Sequence, residues 1–190
     1  MGNATQTRRG PMTQPFYDTI QVPIVAGPQT VNFFGIPKGG AIAAVVKDYH
    51  HTNALMVGIL PGNVVMTVEG YSLHVRELST TGVRPTLVDI MAIQQGVIYI
   101  EIAQKPVQRI LAAEIPDAGA ALSYFSNITP AATEFHTNRG IASIHNIHKI
   151  RPYNIDPGEM IQVALTIPSA IAAVTDVTFT MWGTWSEAGL

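Results

Sequence analysis

Six histidines, His50, His51, His74, His136, His145 and His148, are the side chains best suited to chemistry in this chain. The tightest pairing is His145 with His148. Three apart on a helix, the two would share a face and could hold a metal ion; on a strand they would point to opposite faces. No spacing marks a third ligand, and with no cysteine in the chain there is no thiolate to help. The pair therefore reads as two ordinary polar or interface histidines. His50-His51 falls in a polar loop and reads as solvated. The acidic residues Asp89, Glu101, Glu114, Glu134, Asp156 and Glu159 are scattered, and nothing in their spacing brings two carboxylates together for acid–base work. Glu101, in the middle of VIYIEIA, reads as an outward-facing strand residue rather than a buried general acid.

Motifs that carry a mechanism are also missing. There is no Gly-x-Ser-x-Gly elbow and no phosphate-cradling Walker loop. A cupin-type metal site would need His-x-His followed by Glu within one hairpin; GYSLHVRE offers only His74 and Glu77. No catalytic, cofactor-binding or metal-binding residue is assigned, no cofactor is called for, and the chain is expected not to be an enzyme. Trp182 and Trp185 sit on or beside the last strand, with Tyr71 and Tyr153 elsewhere. Core filling is their first reading. If exposed, the tryptophans could stack on sugars, and a carbohydrate- or receptor-binding β-sandwich module is the alternative that this leaves open. Asn3-Ala-Thr and Asn127-Ile-Thr match the glycosylation pattern, but Pro130 follows the second and no apolar signal core precedes either.

Composition narrows the class. The 190 residues are 47% hydrophobic and only 13% charged, about half the usual charged share of a soluble domain. Scarce charge points to an outside largely covered by other subunits. The net charge of −2 gives no basic surplus to neutralise phosphates, so strong direct nucleic-acid binding is not expected. No apolar run reaches the length of a membrane span, and secretion by a standard signal peptide is not expected.

The elements that must carry these residues are mostly strands. Ile161, Val163, Leu165 and Ile167 alternate with Gln162, Ala164 and Thr166; Val177, Phe179 and Met181 alternate with Thr178, Thr180, Trp182 and Thr184. A period of two is what a half-buried strand requires, and such a sheet needs a second sheet over its apolar face. Asp156-Pro157-Gly158 is a turn signal before the first of these strands. Further strands are expected in Phe16–Ile36, in Gly96–Ala103, and in Val107–Ile115 after a turn at Lys105-Pro106. Ala41–Lys47 fits a strand or a short helix. In VVMTVEGYSLHV the apolar phase slips by one at Gly70, which predicts a β-bulge or a sharp bend, a device strands often use to change sheets. Pro85–Gln95 is the best helix, with Gly96 as its stop and Leu87, Met91 and Gln94, or Val88, Met91 and Gln95, along one side. Leu122–His136 is weakly patterned, and Gly140–His148 fits one helical turn or an irregular edge. Residues 1–15 read as a flexible, extended arm, in which Arg8-Arg9 is the only charged pair. Residues 16–190 are expected to form an all-β domain: a single jelly-roll sandwich of about eight antiparallel strands with one short inserted helix.

That combination resembles the single jelly-roll major capsid proteins of icosahedral viruses. It is similar above all to the small capsid protein of tailless, membrane-containing phages and archaeal viruses. The stretches that carry the likeness are RPYNIDPGEMIQVALTIPS and VTFTMWGTW, which resemble the closing strands of such a roll. The likeness implies a virion structural protein, made in the host cytoplasm, that self-associates into a shell with copies of itself and other capsid proteins. It carries over no functional residue. Many single jelly-roll capsid proteins that package a genome directly have a strongly basic arm, and Arg8 and Arg9 alone are a departure from that pattern. A shell in contact with an internal membrane, or filled by a motor, is the version this implies.

Overall fold

The computed structural model describes residues 12–42, 45–60, 63–76, 81–82, 84–116, 124–129, 132–136 and 147–187. Period-two segments become strands, in chain order β1 (Met12–Thr13), β2 (Phe16–Val22), β3 (Gln29–Phe33), β4 (Ala41–Ile42), β5 (Val45–Val46), β6 (Val64–Val75), β7 (Val97–Ile102), β8 (Lys105–Leu111), β9 (Tyr124–Thr129), β10 (Ala132–His136), β11 (His148–Ile155), β12 (Ile161–Ile167) and β13 (Thr175–Glu187). Among the described residues one α-helix, α1 (Leu87–Gln94), lies between β6 and β7, and a single 3-10 turn (Ala112–Glu114) follows β8. The expected all-β class, the antiparallel pairing and the single inserted helix are all present.

Two sheets hold the core. In sheet one, β6 separates β11 from β13, and the far edge of β13 takes β2 along Thr175–Met181 and then β1 at Thr184–Trp185. Sheet two runs β3-β12-β7-β8. The pairings are nested: β2 with β13, β3 with β12, β6 with β11, and β7 with its neighbour β8. The chain therefore behaves as one long antiparallel ribbon whose successive pairs are laid alternately on one sheet and the other. Ile161, Val163, Leu165 and Ile167 are all buried, and so are Val177, Phe179 and Met181, as their alternation requires. The two layers meet where the Phe33 and Phe179 rings lie 5.5 Å apart. The small hairpins β4–β5 and β9–β10 stand outside these sheets.

The phase slip at Gly70 is a β-bulge. Gly70 pairs with Trp182 and Val68 with Gly183, so Glu69 is the extra residue. Inward positions therefore shift from Met66 and Val68 to Tyr71 and Leu73. β6 does not change sheets; its pairing with β13 from Val64 to Val75 holds it in sheet one throughout. Its other neighbour gives way at the same level: Lys149 pairs with Gly70 and Tyr153 with Val68, so Ile150–Pro152 bow out of the ladder. The Tyr71 and Tyr153 hydroxyls, 2.8 Å apart, tie the two strands across this irregularity. Burial pushes the Tyr153 hydroxyl up to about 12, and raises that of Tyr71 as well.

Elsewhere the structure departs from the pattern in instructive ways. Ala41–Lys47 is neither one strand nor a helix; β4 and β5 pair with each other, and Lys47 then turns inward. The turn expected at Lys105-Pro106 lies at Ala103-Gln104, whose φ angles of 49° and 64° match the two-residue type I′ hairpin. Pro106 sits instead on β8, an edge strand, where a missing N–H is tolerated. Helix α1 begins on a capping box between Thr86 and Asp89. It buries Asp89, Ala92 and Ile93 and leaves Val88 and Met91 exposed. The reason is that backbone amides beyond the helix bind Asp89 and hold it inward. The weakly patterned stretch before His136 forms the β9–β10 hairpin. Of Gly140–His148, only residues 147–148 lie among the described residues, and His148 opens β11.

A Cβ at Gly70 would fall 2.6 Å from Ile147 Cδ1 and 2.7 Å from the His148 carbonyl oxygen. Gly70→Val is therefore expected to destabilise the fold by about 1–3 kcal/mol, as overpacking does. An unchanged melting temperature would refute the close approach at the bulge.

Candidate functional site

Among the described residues, those singled out for chemistry do not converge. His51 Nδ1 lies 2.7 Å from Asp48 Oδ1 within a loop, and the His50 carbonyl accepts a hydrogen bond from Arg76. His74 lies on β6 opposite Thr178, and His148 lies opposite Tyr71. His136 is on β10, while His145 and Glu77 lie outside the described residues. Among the described residues, no group of three His, Asp or Glu side chains could hold a metal ion. Glu101 is on the outer face of sheet two, where it accepts a hydrogen bond from the Tyr99 hydroxyl at 2.7 Å. Trp185 is buried against Phe16, their ring centroids 6.0 Å apart. Trp182 faces outward, half-buried, and its indole N–H donates to Ser72 Oγ at 2.8 Å.

The organised chemistry lies at one end of the sandwich. In β2, Phe16, Ile20 and Val22 face inward, and Asp18 lies on the same face. Its carboxylate is fully buried, 2.6 Å from the equally buried Lys47 ammonium. The second carboxylate oxygen accepts the Phe34 backbone N–H at 2.6 Å. Burial pushes the Asp18 carboxyl above the ordinary carboxylate range, while Lys47 and the Phe34 amide pull it back. A bare buried charge would be costly, so each ion depends on the other. Phe34 has a φ of 58°, an unusual conformation for a bulky residue, and its ring stacks on Phe16 at 4.5 Å. Asp18 thus holds the chain in a left-handed turn as it leaves β3.

That turn positions a loop. The Phe34 carbonyl accepts the Gly58 N–H at 2.9 Å, and the Gly58 carbonyl accepts the Ile161 N–H at 2.6 Å. Ala54, fully buried, accepts the Lys38 N–H at 2.9 Å. Gly58 has a φ of 57°, and a Cβ there would lie 2.6 Å from the Ile161 carbonyl oxygen, so the close approach requires glycine. Pinned at both ends, Leu55, Met56 and Val57 are held in solvent, each just over half exposed. Beside them lies a groove of about 320 Å³, lined by Val57, Asn32, Tyr99, Gln162, Ala164 and Met160 among others. Register explains the hollow: Ala164 sits between Asn32 on one side and Tyr99 on the other, a small side chain between larger ones. The site offers apolar contact and hydrogen bonding, with Glu101 the one charged side chain of its lining.

A second anchor acts through Asp89. One carboxylate oxygen accepts the Thr86 N–H at 2.9 Å and hydroxyl at 2.6 Å; the other accepts the Ala172 N–H at 2.6 Å. Burial raises the Asp89 carboxyl, but these hydrogen bonds outweigh it and hold the group below the usual range. The helix start is thereby fastened to the connection between β12 and β13.

Sequence reading missed both anchors. A signal for Asp18 was present, because a charge falls on the apolar face of FYDTIQV. Thr86-x-x-Asp89 also matches the form of a capping box. Nothing local marks Lys47 as Asp18's partner, since 28 residues separate them in the chain. The Leu55–Val57 run gives no sign of exposure either.

Lys47→Met should cost about 3–5 kcal/mol, because it strands a buried carboxylate. Adding Asp18→Asn, which still accepts the Phe34 N–H, should recover part of that loss; urea unfolding measures both, and equal stability of single and double variants would contradict the pairing. Asp89 has a depressed folded value, so its contribution is present above the unfolded value of about 3.9 and is lost as pH falls through the folded one. Asp89→Asn should lower neutral-pH stability by about 1.5–3 kcal/mol. The gap from wild type should close in acid, and a gap constant from pH 7 to 2 would exclude this role. Compared with protein-family models, with curated proteins and with solved structures, the chain has no match.

Proposed function

We propose that this chain is a structural virion protein that self-associates to build an icosahedral capsid shell. The observation that carries the reading is a surface poor in charge and rich in large apolar side chains. Charged residues make up 13% of the sequence, and Ile24, Val46, Tyr49, Leu55, Met56, Val57, Val88, Met91, Leu111 and Met160 are all 45–68% exposed. Water is a poor partner for such a surface, and burial against neighbours removes the cost. The nested ribbon of eight long strands supports a single jelly roll, which is an architecture of capsid domains. Its partners in this reading are copies of itself and other capsid proteins, and its place is the virion. Contact with an internal viral membrane would be peripheral, since no helix among the described residues is long and apolar enough to cross one. A net charge of −2 does not favour strong direct genome contact.

The carbohydrate-binding alternative, with a tryptophan platform, has less support. Trp185 is in the core and Trp182 is half-buried and tethered to Ser72. Light scattering of the purified protein, with negative-stain microscopy of the largest fraction, tests the shell reading. Rings, sheets or closed particles are expected. A monomer at every concentration and salt condition would overturn self-association.

A further inference from the structure

We infer that the Leu55–Val57 loop and the groove beside it form a self-complementary two-fold contact, in which each of two copies seats Leu55 and Met56 in the other's groove. This rests on the self-association reading and names the face that it uses.

Three observations carry it. The first is shape. A projecting apolar loop and a hollow share one border, Val57 and Gly58. When a projection and a recess lie side by side on one surface, a two-fold axis between them places each projection over the partner's recess. Val57 then lies nearest the axis. The second is charge. A two-fold axis brings like groups together, so a charged patch there would repel itself. Of the residues lining the groove, only Glu101 is charged, and one of its oxygens already holds the Tyr99 hydroxyl at 2.7 Å. Asn32 and Gln162 offer donors and acceptors without net charge, as befits the polar margin of an apolar contact. The third is rigidity. Gly58 is bonded to Phe34 on one side and Ile161 on the other, and Phe34 is held by Asp18. A loop already fixed in its exposed form loses little conformational freedom on docking.

Met160, 45% exposed at the mouth of the groove, extends the apolar surface; its unbranched thioether side chain can adapt to the incoming Leu55 or Met56. Closed by one axis, the contact makes a dimer. Used beside other contacts, it makes a two-fold element of a larger lattice.

The chain has no cysteine, so a single introduced thiol can form a disulfide only between copies. Val57→Cys, under mild oxidation at concentrations where wild type associates, should give a covalent dimer on a non-reducing gel. Met56→Glu, a change at a half-exposed position, should keep the wild-type melting temperature and weaken association at least tenfold in sedimentation equilibrium. If wild type associates but Val57→Cys stays uncrosslinked and Met56→Glu associates normally, this face is not the contact and the shell reading stands without it. If wild type itself remains monomeric throughout, the shell reading falls, and this contact falls with it.

Discussion

A carboxylate and an ammonium meet inside this protein where a core would ordinarily hold only hydrocarbon, and one end of the sandwich depends on them. Asp18 lies on the inward face of a strand that is otherwise apolar. Alone it would be intolerable, and Lys47 neutralises it at 2.6 Å. Replacing such pairs with hydrocarbon is often no worse for stability. The pair's effect here is geometric. Its second oxygen holds the Phe34 amide in a left-handed turn, Phe34 holds Gly58, and Gly58 holds the start of β12. A short series of hydrogen bonds thus runs from the core to the exposed apolar loop. The ion pair determines where that loop stands.

The same logic applies at a second buried carboxylate. Asp89 begins a helix and fastens it to the β12–β13 connection, using four donors from two segments. Neither carboxylate is placed as a reagent. Each takes up backbone amides that a change of chain direction would leave unpaired, and such amides are costly when buried. The polar chemistry of the interior is architectural, while the surface is unusually apolar.

Much of the sheet framework was legible because it rests on alternation. Ile161–Ile167 and Val177–Met181 declare their inward faces directly, and the slip of phase at Gly70 declares the bulge. Gly183, across from it, was not legible: its Cβ would lie 2.0 Å from the Thr67 carbonyl, a closeness created only by the pairing of β13 with β6. Which face of α1 turns inward was not legible: hydrophobicity alone favours Val88 and Met91, whereas hydrogen bonds from Ala172 and Ala173 draw Asp89 inward. The turn before β8 was placed by its proline, although the conformation is carried by Ala103 and Gln104. The candidate contact was the least legible part. Its loop and groove come from residues far apart in the chain, joined only once β3, β7 and β12 lie side by side.

Nested pairing has a consequence for the order of events during synthesis. The strand in the middle of sheet one, β13, is the last of the described strands to be made, and its long partners, β2 and β6, both lie in the first half of the chain. A growing chain that has reached only the β12–β13 connection therefore holds β2 without its sheet partner and β6 paired on one side only, with β11. Such edges recruit strands from other chains. The topology delays completion of sheet one until β13 is inserted, and the interval before that insertion is when a nascent chain most needs shielding from its neighbours.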